Sequence, residues 1–242
     1  MQSVAFHAAM SIAAFCVLPV APASAEGTLP LPSNLIALNS DEGEKLLQGS
    51  TYRRNFMTLM MNFETQQNLG YCGPATSAMV ANSLGIKRPS SPDHGSFRVF
   101  TQANVFNDVA KAIKPAQEVA QSGLALNQFS RFVASQGCIA KATYASDTTA
   151  STFRTIAKGV LSNTGTVLIV NYLRKELRQM SGGHISPIAA YNEAADRFLI
   201  LDVSRYKYPP VWVKTEDLWR AMAVIDPESH KSRGFVVVSK VQ

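Results

Sequence analysis

The spacing of apolar residues changes once along this chain, near residue 165, and that change limits the fold more than any other feature. Before it, apolar residues recur at helical spacing between Pro and Gly breaks. This predicts helices over Asn39 to Leu47, Ala75 to Leu84, Thr101 to Ile113, Asn127 to Gln136 and Thr152 to Leu161. Asn39 reads as the cap of the first, with Glu42 three residues on. After residue 165 the pattern becomes that of strands over 166–173, 185–191, 197–203, 211–213 and 234–240. Helices first and an antiparallel sheet later predict an α+β fold, not an alternating parallel one. Residues 52–63 are apolar with mixed period and are expected to pack beneath the 75–84 helix; residues 86–98 read as a turn-rich loop bordering a cleft.

The first 25 residues stand apart. Ala8 to Val20 is apolar, and Ala23-Ser24-Ala25 precedes Glu26 in the manner of a signal-peptidase site. The expectation is a cleaved signal over 1–25 and one catalytic domain over 26–242, exported to the periplasm, or cytoplasmic if the signal is not used. Residues 1–25 hold no Asp, Glu, Lys or Arg, so the remainder keeps the formal charge of +6. That charge is dispersed, with no basic run interleaved with aromatics, so no nucleic-acid partner is expected. No membrane association is expected after signal removal.

The chemistry gathers first at Thr65-Gln66-Gln67-Asn68-Leu69-Gly70-Tyr71-Cys72-Gly73-Pro74-Ala75, where a loop runs into a helix. Pro74 suits a first helical position, which places Cys72 at the helix N-terminus under unpaired N–H groups and the positive end of the macrodipole. A thiol there is a candidate nucleophile with its pKa below the free value of roughly 8.5. The alternative is a small buried cysteine packing as an apolar residue. Gln66 lies where its amide could join the Cys72 N–H in an oxyanion hole. Without residues 1–25 only Cys72 and Cys138 remain, which is no disulfide framework, and metal-ligand spacing is absent.

The second half of the site is Gly182-Gly183-His184-Ile185-Ser186-Pro187, opening one strand, and Leu201-Asp202-Val203, ending the next. The turn Asn192-Glu193-Ala194-Ala195-Asp196 makes the two strands a hairpin. A turn centred at Glu193 sets His184 opposite Asp202, and one centred at Ala194 sets them a diagonal step apart, on one face either way. Asp202 could then fix the tautomer of His184 and support its imidazolium. A histidine bonded to backbone and an aspartate in a turn are the plainer alternatives. His94 and His230 are weaker candidates, since both lie in polar loops.

Several stretches together resemble the phytochelatin synthases, in particular their short bacterial forms, within the papain-like cysteine peptidase superfamily. They are Thr65-Gln66, Asn68, Tyr71-Cys72-Gly73, Val170-Asn171-Tyr172-Leu173-Arg174-Lys175, Gly182 to Pro187, Asp202 to Val213 and Ser232-Arg233-Gly234-Phe235. The resemblance implies a papain-like fold, with a helical lobe carrying the nucleophile and an antiparallel sheet carrying His and Asp. It implies a triad of Cys72, His184 and Asp202 with Gln66 in the oxyanion hole, and glutathione as donor. Arg233 and Arg174 would bind substrate carboxylate, and Asn171 and Gly183 would contact the cleft. A γ-glutamylcysteinyl thioester would pass to a second glutathione, giving phytochelatin, or to water, giving γ-glutamylcysteine.

By likeness to the short forms, hydrolysis is expected to outweigh synthesis, without the Cys-rich C-terminal domain of plant members. No cofactor is required. Cd²⁺ and Zn²⁺ would act as activators or as thiolate-bound forms of the substrate, and a homodimer is compatible with the resemblance. A papain-like peptidase acting on ordinary peptides needs the same triad, and a thiol- or metal-binding protein without turnover is the non-enzymatic reading. For the enzyme, helix dipole and His184 together predict alkylation of Cys72 that persists well below neutral pH.

Overall fold

The structure is a computed structural model, and it describes residues 28–180 and 182–241. The expected signal sequence at 1–25 lies outside the described residues. In chain order the elements are β1 (Ile36–Ala37), α1 (Asp41–Gln48), α2 (Phe56–Met61), α3 (Cys72–Ser83), α4 (Asp108–Ile113), α5 (Ala116–Ser122), α6 (Leu126–Ala134), β2 (Cys138–Tyr144) and α7 (Ala150–Leu161). They are followed by β3 (Thr166–Leu173), β4 (Gly183–Asn192), β5 (Arg197–Ile200), β6 (Val211–Lys214), α8 (Thr215–Ala223) and β7 (Gly234–Lys240).

The strands form one seven-stranded sheet in the order β1-β6-β5-β4-β3-β7-β2, with every neighbouring pair antiparallel. The α+β expectation holds. Its edges, β1 and β2, come from before residue 165, where the sequence reading places helices, an extended lead-in and loops but no strand. One face of the sheet packs on α3 and α6 through Ala78, Met79, Phe129 and Phe132. The other packs on α7 and α8 through Phe153, Ala157, Leu218 and Met222.

Local chemistry explains where the elements depart from the periodicity. The cap of α1 is Ser40, not Asn39: its Oγ accepts from Gly43 N at 3.1 Å. The helix expected over 101–113 begins only at Asp108. Asn104 instead binds backbone on both sides, accepting from Thr101 N at 2.8 Å and donating to Val99 O at 2.9 Å. Such local side-chain bonds offer the backbone an alternative to a helix. Asn107 then caps α4 by accepting from Ala110 N at 2.9 Å.

Two central elements position the site. α3 is buried from Cys72 through Asn82, as a helix with small or apolar residues on all sides should be. β4 is buried from His184 through Asn192 and lies mid-sheet. Among the described residues no helix is long and apolar enough to cross a membrane.

Candidate active site

Cys72 is the first residue of α3, so the helix starts earlier than the 75–84 expectation. Pro74 sits two residues inside the first turn, not at its first position, and there too a missing N–H leaves no helical bond unmade. One turn on, Thr76 Oγ1 donates to Ile185 O at 3.2 Å. This bond ties the cysteine helix to the strand that carries His184, next in chain to Ile185.

His184 and Asp202 meet, but not through a regular hairpin. From Asn192↔Arg197 to Ala190↔Leu199 the strands pair in step; then Ile188 pairs with Ile200, leaving Ala189 as an extra residue in β4. Continued without that bulge, the register would set Asp202 opposite Pro187, on the other face from His184. With the bulge, Asp202 falls level with Ser186, one diagonal step from His184 and on its face. Leu201 N donates to Pro187 O at 3.0 Å and Val203 N to Ser186 Oγ at 3.3 Å, which carries the shifted register past the end of β5.

The His184 Nε2–Asp202 Oδ1 distance is 2.9 Å, with Ser186 Oγ also 2.9 Å from Nε2. Asp202 is fully buried. Its Oδ1 additionally accepts from Ser204 N at 2.8 Å and Arg174 Nη2 at 2.7 Å. Burial pushes the carboxyl up, yet His184 and Arg174 outweigh that and hold it well below the usual carboxylate range. An ionised carboxylate only accepts, so the network assigns the ring proton to Nε2 and leaves Nδ1 as the acceptor nitrogen.

Burial acts against the ionised forms of both Cys72 and His184. Burial and the Arg174 charge push His184 down to about 4, although Asp202 pulls the other way. Burial raises the Cys72 thiol, against the favourable action of the Ile185 N–H, Arg174 and the Gly73 N–H. Burial thus disfavours both the thiolate and the imidazolium, against the pull of the helix N-terminus on the thiol.

Cys72 and His184 line a cavity of about 250 Å³ together with Asn171, Gly183, Arg233, Asp226 and Glu228. Arg233 Nη1 bonds Asn171 Oδ1 at 2.9 Å and Asp226 Oδ2 at 2.7 Å. Its Nε and the Nδ2 of Asn171 are buried donors without a partner among the described residues. Gly183 makes room for the guanidinium, since a Cβ there would meet Arg233 Nη1 at 2.7 Å. Three of the expected substrate contacts, Arg233, Asn171 and Gly183, are thus brought together.

Arg174 is not. It is 3% exposed, does not line the cavity, and spends its guanidinium on Asp202 and on Gln179 Oε1 at 2.9 Å, above the ring of Tyr208. Both terminal nitrogens already have a buried acceptor, and the side chain lies outside the cavity lining. Gln66 is buried close by, its backbone N–H bonded to Val203 O, but its Nε2 donates to Asn68 O at 2.7 Å and Tyr206 Oη at 3.0 Å. Asp226 and Glu228 escaped sequence reading.

His94 bonds Ser91 Oγ at 2.8 Å in a surface turn, and His230 lies in an exposed turn with φ 55°; neither reaches the cavity. Cys72 and Cys138 are both free and buried, and Cys138 Sγ donates to Val133 O at 3.1 Å. Among the described residues no group of His, Cys, Asp or Glu is placed to hold a metal ion.

The sequence model of the family described as phytochelatin synthase matches residues 27–235. The chain is 33% identical over 217 residues to glutathione gamma-glutamylcysteinyltransferase 3 of Lotus japonicus, covering 88% of this chain and 44% of that one. To glutathione gamma-glutamylcysteinyltransferase 1 of Arabidopsis thaliana it is 32% identical, over 88% of this chain and 43% of that one. For the glutathione gamma-glutamylcysteinyltransferase of Schizosaccharomyces pombe the figures are 27%, 86% and 50%. The chain therefore spans half or less of the length of the curated relatives it matches. Among solved structures, xylellain, a cysteine protease from Xylella fastidiosa, aligns over 88% of each chain with 9% identity and a TM-score of 0.30.

Proposed function

The chain belongs to the phytochelatin synthase family, and from that premise we propose that it is a cysteine-nucleophile acyltransferase acting on glutathione. The observation that carries the proposal is the cavity shared by Cys72, His184, Arg233 and Asp226. A γ-glutamyl group bears a carboxylate and an ammonium on one carbon. Arg233 and Asp226, now bonded to each other at 2.7 Å, are a matched pair that those two charges would separate and occupy. The first residue of an ordinary α-linked peptide offers only the ammonium.

In the reaction, Cys72 Sγ attacks the carbonyl carbon of the Cys–Gly amide while its proton passes to His184 Nδ1. The tetrahedral oxyanion is met by the Cys72 N–H and by Gln66, whose Nε2 exchanges Tyr206 Oη for the substrate oxygen. Collapse breaks the C–N bond, and the proton on Nδ1 leaves with the glycine amine. The γ-glutamylcysteinyl thioester is resolved by water, giving γ-glutamylcysteine, or by the amine of a second glutathione, giving a phytochelatin. Every atom in these steps comes from the chain, the substrate or water, with Cd²⁺ or Zn²⁺ acting outside them as activators or on the substrate thiolates.

The test is to incubate purified protein with glutathione and follow released glycine and thiol products, with and without Cd²⁺. Release that Cys72→Ser abolishes is the expected result. Cleavage of α-linked peptides with glutathione untouched would establish the peptidase reading instead. Export to the periplasm, which rests on residues 1–25, is checked separately by cell fractionation.

A further inference from the structure

We propose that Arg174 is the positioning residue of the triad, anchoring Asp202 and through it the ring of His184. The inference rests on the acyltransfer reading above for its kinetic arm, and on geometry for the rest. Arg174 lies in the turn after β3, where its backbone N–H donates to Gly182 O at 3.0 Å. Its side chain is held on three sides, by Gln179 Oε1 at 2.9 Å, Asp202 Oδ1 at 2.7 Å and the ring of Tyr208 at 5.4 Å. A guanidinium so placed fixes both the direction and the charge of its partner.

Asp202 is anchored through one oxygen only. Its Oδ1 takes all three bonds, from Arg174, Ser204 N and His184, while Oδ2 is buried without a partner among the described residues. Without Arg174, a fully buried carboxylate would face His184 as its only charged partner at contact distance. Two consequences follow from the electrostatics. The carboxylate would gain freedom to turn, loosening the ring it steers. The buried charge would also lose its closest cation, leaving Lys207 and the ring itself to compensate it, so His184 would bind a proton at higher pH.

Charged and titratable groups surround His184: Tyr172 edge-on from β3 at 5.6 Å, Arg174 from the turn after β3, and Asp202 and Lys207 from the segment after β5, with Cys72 of α3 lining the same cavity. Arg174 and Lys207 both disfavour the charged ring, and Asp202 favours it. Arg174 therefore sets a balance that a lone His–Asp pair would tip toward the imidazolium. A base that is neutral at rest is free to take the thiol proton when substrate arrives.

The experiment combines kinetics and a ligand-free titration. Glycine release from glutathione is measured against pH for wild type, Arg174→Gln, Arg174→Lys and Gln179→Leu. Arg174→Gln is expected to lower kcat by roughly 10- to 100-fold with KM within about two-fold, and to move the acidic limb of kcat/KM up by about a pH unit or more. Arg174→Lys keeps the charge and is expected to keep the limb while losing part of kcat. A rise in KM alone would instead make Arg174 a binder of substrate carboxylate, and loss of melting temperature with an unmoved limb would make it a structural ion pair. Either result overturns the proposal.

Because the Arg174 variants replace a buried charge, the ring of His184 is also titrated by nitrogen NMR in wild type and in Gln179→Leu. The expected wild-type result is an Nε2–H tautomer still neutral at pH 5.5, with the midpoint moved up in Gln179→Leu. A wild-type ring protonated at that pH, or midpoints that coincide, refutes the inference. This arm needs no substrate: if wild type releases no glycine, the acyltransfer reading fails while the role of Arg174 is still decided.

Discussion

His184 Nε2 lies 2.9 Å from Asp202 Oδ1, and the two residues share a face of the sheet only because Ala189 bulges out of β4. A single extra residue converts a register that would have turned Asp202 away into one that aims it at the ring. The consequence is a fixed tautomer, with the proton on Nε2 and Nδ1 left to act as base. Bulges re-aim side chains beside functional sites in this way, at the expense of one unpaired ladder position.

Asp202→Asn tests that geometry. The amide is nearly isosteric and can keep the fold, but it removes the charge that supports the imidazolium and competes for the ring proton. The expected effect is a fall in kcat of about 10²- to 10⁴-fold with little change in KM, read from glycine release. Unchanged kcat would remove Asp202 from the reaction.

The charge state of the nucleophile makes a separate prediction. Burial raises the Cys72 thiol and lowers His184 to about 4, so between these limits both are neutral. Alkylation of the free enzyme by iodoacetamide is therefore slow at neutral pH and accelerates only above the free thiol range near ~8.5. A rate that stays flat down to pH 5 would show a preformed thiolate–imidazolium pair and overturn this electrostatic picture.

Much of this site could be read from the residues, and the failures have definite causes. The strands 166–173 and 234–240 match β3 and β7 to the residue because their apolar and β-branched runs open after Gly165 and Arg233 and the first closes at Arg174. Cys72 at a helix start is a local consequence of Pro74, and the hairpin brings His184 and Asp202 near each other although their shared face needs the bulge. The bulge was not legible, since Ile188-Ala189-Ala190 carries no residue that demands one. Nor was the placement of Arg174. Motif likeness gives a residue type at a position, while whether a guanidinium turns to a ligand or to a buried carboxylate depends on what lies across space. The same blindness hid Asp226, whose partner Arg233 is seven residues further along.

Gly183 and Arg233 form a steric pair. A methyl group at Gly183 would press on Arg233 Nη1, so Gly183→Ala should push the guanidinium off Asn171 and Asp226. If that guanidinium holds the γ-glutamyl carboxylate, KM for glutathione rises by about 10- to 100-fold, in line with loss of a charge-assisted bond of ~1.5–3 kcal/mol. Arg233→Lys, which keeps charge without the fork, is expected to recover only part of the binding. Steady-state kinetics with glutathione decide it, and an unaltered KM in both variants would place the carboxylate elsewhere.

Gln66 must exchange a partner to stabilise an oxyanion, because its Nε2 is held by Asn68 O and Tyr206 Oη. Gln66→Ala is expected to reduce kcat by about 10²- to 10³-fold, the usual loss for one oxyanion donor. Tyr206→Phe removes only the resting partner and is expected to leave kcat within a few-fold. The reverse order, with Tyr206→Phe the more damaging, would move the oxyanion contact from the amide to the phenol.

Acid sensitivity completes the case for a ring buried in its neutral form. In the unfolded chain a histidine takes up its proton near pH ~6.5, whereas in the fold His184 does so only at about 4. Across that window the unfolded state binds more protons, so stability is present above pH 6.5 and is lost as pH falls toward 4, by up to ~1.4 kcal/mol per pH unit. Asp202 acts lower: its carboxyl is held below the usual range, so its contribution is complete above the unfolded value near ~3.9 and disappears only below it. The two windows do not overlap, and calorimetric melting of wild type and His184→Gln between pH 7 and 3 separates them. Wild type is expected to lose melting temperature from pH 6.5 downward, and the variant, with no ring to protonate, to hold its value until carboxylates titrate below pH 4. Parallel curves for the two proteins would mean that His184 accepts its proton in the folded state as readily as in the unfolded one.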